Sequence, residues 1–255
     1  MRMTTPDGIE LFYERREADE PTLLLLHGWA NNHTVWNKLS AHIPFSTIAP
    51  DLRGHGRSSK PNHEDAYAIE RFCTDVKSLL DHERIERCVL VGHSMGGMIA
   101  LMTEDPRIEA LVLINSAAGI KDCIPLGPNP FLSRLARFFE EHQRLVPSDL
   151  SDAYRNEFET FLKGLAGTSP VATISCFEAM YELDVGERLE RISTPTLVIA
   201  SEDDRVLPKR FSEALATMTH GYFETIGTSH FSLIDHAEEI AERIGRFLTR
   251  DANTT

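Results

Sequence analysis

Short apolar runs alternate along this chain with stretches in which apolar side chains recur every three or four positions. The short runs suit strands buried on both faces, and the three- to four-residue recurrence suits amphipathic helices. Arg2–Thr4 and Ile9–Arg15 flank Asp7-Gly8, a two-residue hairpin signal. Thr22–Leu26 predicts the first fully buried strand, and Ser46–Ala49 a weaker one ending at Pro50-Asp51. Ala66–His82 predicts a helix, with Ile69, Phe72, Val76, Leu79 and Leu80 on one face. Cys88–Val91 reads as a strand, Met95–Thr103 as the helix after it, and Leu111–Asn115 as a strand again. Strand–helix–strand repetition implies right-handed crossovers and a mostly parallel sheet.

The alternation stops after Ala118. Between Gly119 and Leu183 the pattern predicts no strand, only amphipathic segments such as Phe131–Leu145 and Ala153–Leu165 separated by prolines. A helical insertion over residues 119–183 is expected, set into a core made of residues 1–118 and 184–255. The strand pattern returns at Thr196–Ala200 and Tyr222–Ile226, and a last helix is expected from Asp235 to Thr249.

Composition narrows the class of partner. The 255 residues are 42% hydrophobic and 25% charged, ordinary values for a globular chain. The formal net charge of −13 repels phosphate backbones and anionic lipid, so nucleic acid and membrane surfaces are poor partners. Cys73, Cys88, Cys123 and Cys176 form no CxxC pair and match no zinc spacing. No apolar segment follows Arg2, and no run reaches the roughly 20 apolar residues of a membrane helix, so a cytoplasmic location is expected.

The candidate chemistry starts at Gly92-His93-Ser94-Met95-Gly96-Gly97, a G-x-S-x-G pattern between a predicted strand and a predicted helix. A serine on so tight a turn needs small neighbours two residues before and after it, which Gly92 and Gly96 supply. Serine requires a base to take its proton and an acid to orient that base, in the chain order Ser, Asp or Glu, His. After Ala200 the histidines are His220, His230 and His236. His230 lies in a loop between the last strand and the last helix, where an open α/β sheet places its site. The acid is expected from Glu202, Asp203 and Asp204; that a turn must form before the acid folds back toward His230 gives Asp204 only a modest preference over the other two. The expected oxyanion donors are the N–H groups of Met95 and Trp29. The Trp29 side chain suits either a wall of an acyl pocket or ordinary core packing. Asp51 precedes Ser94 and is read as a loop-ordering carboxylate.

Four ordered segments resemble the α/β-hydrolase family: Leu26-His27-Gly28-Trp29, Asp51 through Ser58, Gly92 through Gly97, and Gly227-Thr228-Ser229-His230-Phe231. The resemblance implies an α/β-hydrolase fold, a mostly parallel eight-stranded sheet with a helical cap insertion. It also implies ester hydrolysis with Ser94, Asp204 and His230 as the triad, no metal and no organic cofactor. The family's usual glycine three residues before the acid is Ser201 here. Within the family, His27-Gly28-Trp29, Trp36 and the Phe161-Leu162 segment are similar to the pimeloyl-[acyl-carrier protein] methyl ester esterases. That likeness implies Phe161 in substrate binding, and an ester carried on an acyl-carrier protein docked by Arg134, Arg137, Arg144 and Arg155. Lactonases, perhydrolases and ligand-sensing signalling proteins share the same motifs. A monomer or a dimer is expected.

Overall fold

The structure is a computed structural model and describes residues 1–123, 152–227 and 229–250. Strands β1 (Arg2–Thr4) and β2 (Glu10–Arg16) form the hairpin expected around Asp7-Gly8. β3 (Asp19–Leu26) is followed by α1 (Asn37–His42), β4 (Phe45–Pro50), α2 (Ile69–His82), β5 (Cys88–His93), α3 (Met95–Met102) and β6 (Ile108–Ile114). Three described helices then follow: α4 (Asp152–Ala166), α5 (Pro170–Glu182) and α6 (Gly186–Arg191). The chain closes with β7 (Thr196–Ser201), α7 (Lys209–Met218), β8 (Tyr222–Ile226), α8 (Ser232–Asp235) and α9 (Ala237–Arg250).

The eight strands form one sheet in the order β1-β2-β4-β3-β5-β6-β7-β8. β1, β2 and β4 pair antiparallel, and every pairing from β4 through β3 to β8 is parallel. Successive side chains of a strand point to opposite faces, and this explains the unbroken apolar runs. Leu24, Leu26, Leu90, Leu111, Leu113 and Val198 pack on one face with Phe72 and Leu79 of α2, Met98 of α3 and Leu215 of α7. Leu23, Leu25, Val89, Val91, Val112, Ile114, Leu197 and Ile199 pack on the other with Leu39 of α1 and Ile240, Ile244 and Phe247 of α9. Both faces need apolar residues, so strands of this kind lose the polar alternation of a one-sided sheet.

Three local expectations are adjusted. The segment expected as one helix over Ala66–His82 starts as a 3₁₀ turn at Glu64–Tyr67, and α2 begins at Ile69. The last helix is split, because α8 closes at Asp235 and α9 opens at Ala237. α1 and α7 were not expected; α1 is only six residues long, too short to show a period. The expected helix Phe131–Leu145 lies outside the described residues. Among the described residues, no helix is long and apolar enough to cross a membrane.

Candidate active site

Ser94 follows β5 directly and caps α3 with φ 51° and ψ −116°. That is a left-handed backbone for a residue with a side chain, a strained state that only surrounding structure can hold. The turn is held by its glycines. A Cβ on Gly96 would lie 2.0 Å from the Leu26 carbonyl oxygen, and one on Gly92 would lie 2.3 Å from the Gly96 carbonyl oxygen. Ser94 N–H donates to Ile114 O at 3.0 Å, and Ser116 Oγ donates to Ser94 O at 2.8 Å, so both sides of the turn are tied to β6 and the loop after it. The Ser94 side chain stays partly exposed. Met95 N–H is the first donor of α3, one of the helix-end groups with no acceptor inside its helix.

The candidate base and its candidate acid, His230 and Asp204, meet from two different loops. Asp204, three residues past β7, is 6% exposed, and its Oδ2 accepts from His230 Nδ1 at 2.7 Å. Its Oδ1 accepts from the backbone N–H groups of Val206 (2.9 Å) and Leu207 (2.7 Å). Of the three candidate carboxylates, Asp204 therefore meets the histidine. Asp203 is exposed, and Glu202 is exposed and pairs with Lys209. Fixing Nδ1 as a donor leaves Nε2 of a neutral His230 as the proton acceptor. His230 is set against the serine turn by His93, whose ring lies 4.8 Å from it between centroids. Ser94 Oγ forms no hydrogen bond among the described residues; such contacts commonly close only around substrate.

The loop after β3 reaches the same place. A Cβ on Gly28 would lie 3.2 Å from Ser94 Cβ, so the backbone leading into Trp29 passes beside Ser94. His27 fixes that loop: Nδ1–H donates to Gly28 O at 2.8 Å, and Nε2 accepts from Leu52 N–H at 3.0 Å. Complete burial pulls the His27 pKa down to about 4, against the pull of nearby Asp51. The Trp29 side chain turns toward α4 and α5. Its ring lies 6.0 Å from Phe161 and 5.8 Å from Phe177, and its Nε1–H donates to Thr173 O at 2.9 Å. Phe161 is partly buried against the same core.

Asp51 stays away from His230. It accepts from His33 N–H and Nδ1–H and from Arg57 N–H, and so orders its own loop. The histidine bonds hold its carboxyl below the ordinary range although burial opposes them. Sequence patterns missed His93 and Asn115. Both sit at strand ends, 1% exposed, with donors on the His230 loop. Their strand-end placement was the available signal. Arg134, Arg137 and Arg144, and the side chain of Arg155, lie outside what is described. Among the described residues no group of three or more His, Cys, Asp or Glu is placed to hold a metal ion.

A serine on a strained strand-to-helix turn, with acid and histidine on later loops of a mostly parallel sheet, is the layout of an α/β hydrolase. Residues 23–243 match the model described as the Alpha/beta hydrolase family, and the chain belongs to that family. It is 30% identical over 251 residues to 3-oxoadipate enol-lactonase 2 of Acinetobacter baylyi, covering 92% of this chain and 91% of that one. Among solved structures it is similar to a thermophilic esterase from Thermogutta terrifontis, with a TM-score of 0.76, 25% identity and 98% of each chain covered. The enol-lactonase from Burkholderia xenovorans superposes with a TM-score of 0.81 at 24% identity, covering 98% of this chain and 100% of that one, a likeness of fold.

Proposed function

We propose that this protein hydrolyses small carboxylic esters through an acyl-enzyme on Ser94. The observation that carries the reading is the 2.7 Å bond from His230 Nδ1 to buried Asp204, on loops that converge with the strained Ser94 turn. Ser94 Oγ attacks the ester carbonyl while its proton passes to His230 Nε2. The carbonyl oxygen becomes an oxyanion held by the N–H groups of Met95 and Trp29. Asp204 stabilises the imidazolium. Collapse of the adduct breaks the bond to the alcohol, which leaves with the proton from His230. Water then attacks the acyl-enzyme, giving its proton to His230, and Ser94 is regenerated with release of the acid. The helices over residues 152–182 cover Trp29 and are assigned the choice of acyl group.

A lactone is an ester closed on itself, so the same steps open it. The relative named for an enol-lactone supports that second reading. An ester presented on an acyl-carrier protein is the narrower version suggested by the likeness to the pimeloyl esterases. The experiment is a panel of p-nitrophenyl esters of rising acyl length, simple lactones and a carrier-bound methyl ester, with Ser94→Ala beside the wild type. Wild-type turnover on at least one class and loss of about a thousandfold or more in the variant are expected. Full activity in Ser94→Ala sinks the mechanism. Near-single-turnover cleavage of every compound favours a ligand-sensing role.

A further inference from the structure

The His93 side chain has no part in the proton path above, yet it is buried against both halves of the site. Its Nε2–H donates to the main-chain oxygen of His230 at 2.8 Å. Asn115 Nδ2 donates to the same oxygen, also at 2.8 Å. A carbonyl oxygen has two lone pairs, and here both are engaged from neighbouring strand ends. The His93 ring also packs on the His230 ring at 4.8 Å and on Phe231 at 5.6 Å. Its other edge faces the loop after β3: a Cβ on Gly28 would lie 2.9 Å from His93 Nδ1 and 3.4 Å from Cε1. One ring therefore fills the space between the loop carrying Trp29 and the loop carrying His230.

We propose that His93 is a positioning residue, whose ring sets the separation of the Trp29 loop from His230 and whose Nε2–H fixes the His230 backbone. The inference rests on the assignment of Ser94 and His230 made above. Packing alone argues against a histidine at this position. Nδ1 is buried with no hydrogen-bond partner, a destabilising arrangement that an apolar side chain would avoid. The donor to His230 is what the imidazole adds. Burial pushes the His93 pKa well down, with His230 as a smaller cause, so the ring stays uncharged beside the imidazolium that forms on His230.

The test compares His93→Gln, His93→Leu and His93→Asn by two readouts: kcat and KM on the best ester, and the rate of Ser94 labelling by a fluorophosphonate. Labelling forms the Oγ–P bond, releases fluoride and sends the serine proton to His230, so it reads the base without requiring a known substrate. The glutamine amide extends to the position of Nε2, and His93→Gln is expected to keep both rates within about fivefold. His93→Leu fills similar volume without a donor. Its kcat and labelling rate are expected to fall by about thirty- to a hundredfold, with KM within about threefold. A folded His93→Leu that stays within twofold of wild type overturns the proposal, and so does a glutamine variant as slow as leucine. If the leucine variant does not fold, glutamine against asparagine decides, because the shorter amide ends near Nδ1 and cannot reach the His230 oxygen. Equal rates in those two overturn the idea. Labelling abolished by Ser94→Ala but unchanged in the variants at 93 sinks only this inference. A wild type that neither labels nor turns over sinks the hydrolase reading with it.

Discussion

Both oxygens of Asp204 are in use, one on His230 Nδ1–H and the other on the N–H groups of Val206 and Leu207. Every one of those partners is a donor, so an amide at this position must turn its own N–H toward one of them. Asp204→Asn is therefore expected to lower kcat by about a thousandfold or more, by disturbing either the histidine tautomer or the turn. Steady-state kinetics with a melting curve separates that from unfolding. Asp203→Asn and Glu202→Gln, made beside it, are expected to stay within about twofold, since both carboxylates face solvent. Gly96 carries a different demand. A methyl group there would sit on the Leu26 carbonyl, so Gly96→Ala is expected to destabilise the fold by about 1–3 kcal/mol in urea titration and to slow turnover as the Ser94 turn shifts.

Elements meet where α4 crosses the loop after β3. A Cβ on Gly164 would lie 2.1 Å from Ala30 O and 2.9 Å from Asn31 Cα, so this helix rests directly on backbone. α5 joins the same loop through Trp29 and its bond to Thr173 O, and it joins the Asp51–Ser58 loop through Ser169 N–H to Gly54 O at 3.1 Å. Gly164→Ala is expected to lift α4 from the Trp29 loop. The measurable outcome is a change in acyl-length preference and a several-fold rise in KM, with Ser94 labelling retained. A variant with an unaltered ester profile would show that α4 takes no part in selecting the acyl group. At this scale the strands were legible because their apolar runs are continuous, and α2 was legible because its buried face repeats over four turns. The contacts at Gly164 were not legible: a glycine in a helix carries no sign of which backbone it touches.

The molecule as a whole carries histidines buried in the neutral form. Burial pulls His27 to about 4 and His55 to about 3, and His93 is pulled well below its ordinary value. The unfolded chain binds protons on these rings near pH 6.5, whereas the folded chain does not until far lower. The contribution of these rings to folding stability is therefore fully present above about pH 6.5 and falls as the pH drops toward the folded values, by about 1.4 kcal/mol per pH unit for each ring. Asp75, pushed up to about 6 by burial, and His33, raised beside Asp51, work in the opposite direction, so urea unfolding at pH 7 and pH 5 is expected to show a net loss of a few kcal/mol. His55→Gln is expected to make the dependence shallower; an unchanged slope would mean that His55 is not buried neutral.

By itself the sequence determined the alternation of strands and helices, the two-faced burial of the sheet, the glycine-flanked turn at Ser94, and the order in which Ser94, Asp204 and His230 follow one another. These are local or periodic properties, written in neighbours a few positions apart. The sequence preferred Asp204 over Asp203 and Glu202, and the tertiary structure places it on His230; tertiary structure alone decided that the Trp29 indole is held by α5 and that His93 and Asn115 converge on one carbonyl oxygen. Each of those pairings joins residues far apart in the chain through a distance of a few ångströms. Periodicity can assign a side chain to a face, but only the assembled sheet, which brings the carboxyl ends of β3, β5, β6, β7 and β8 to one edge, selects its partner.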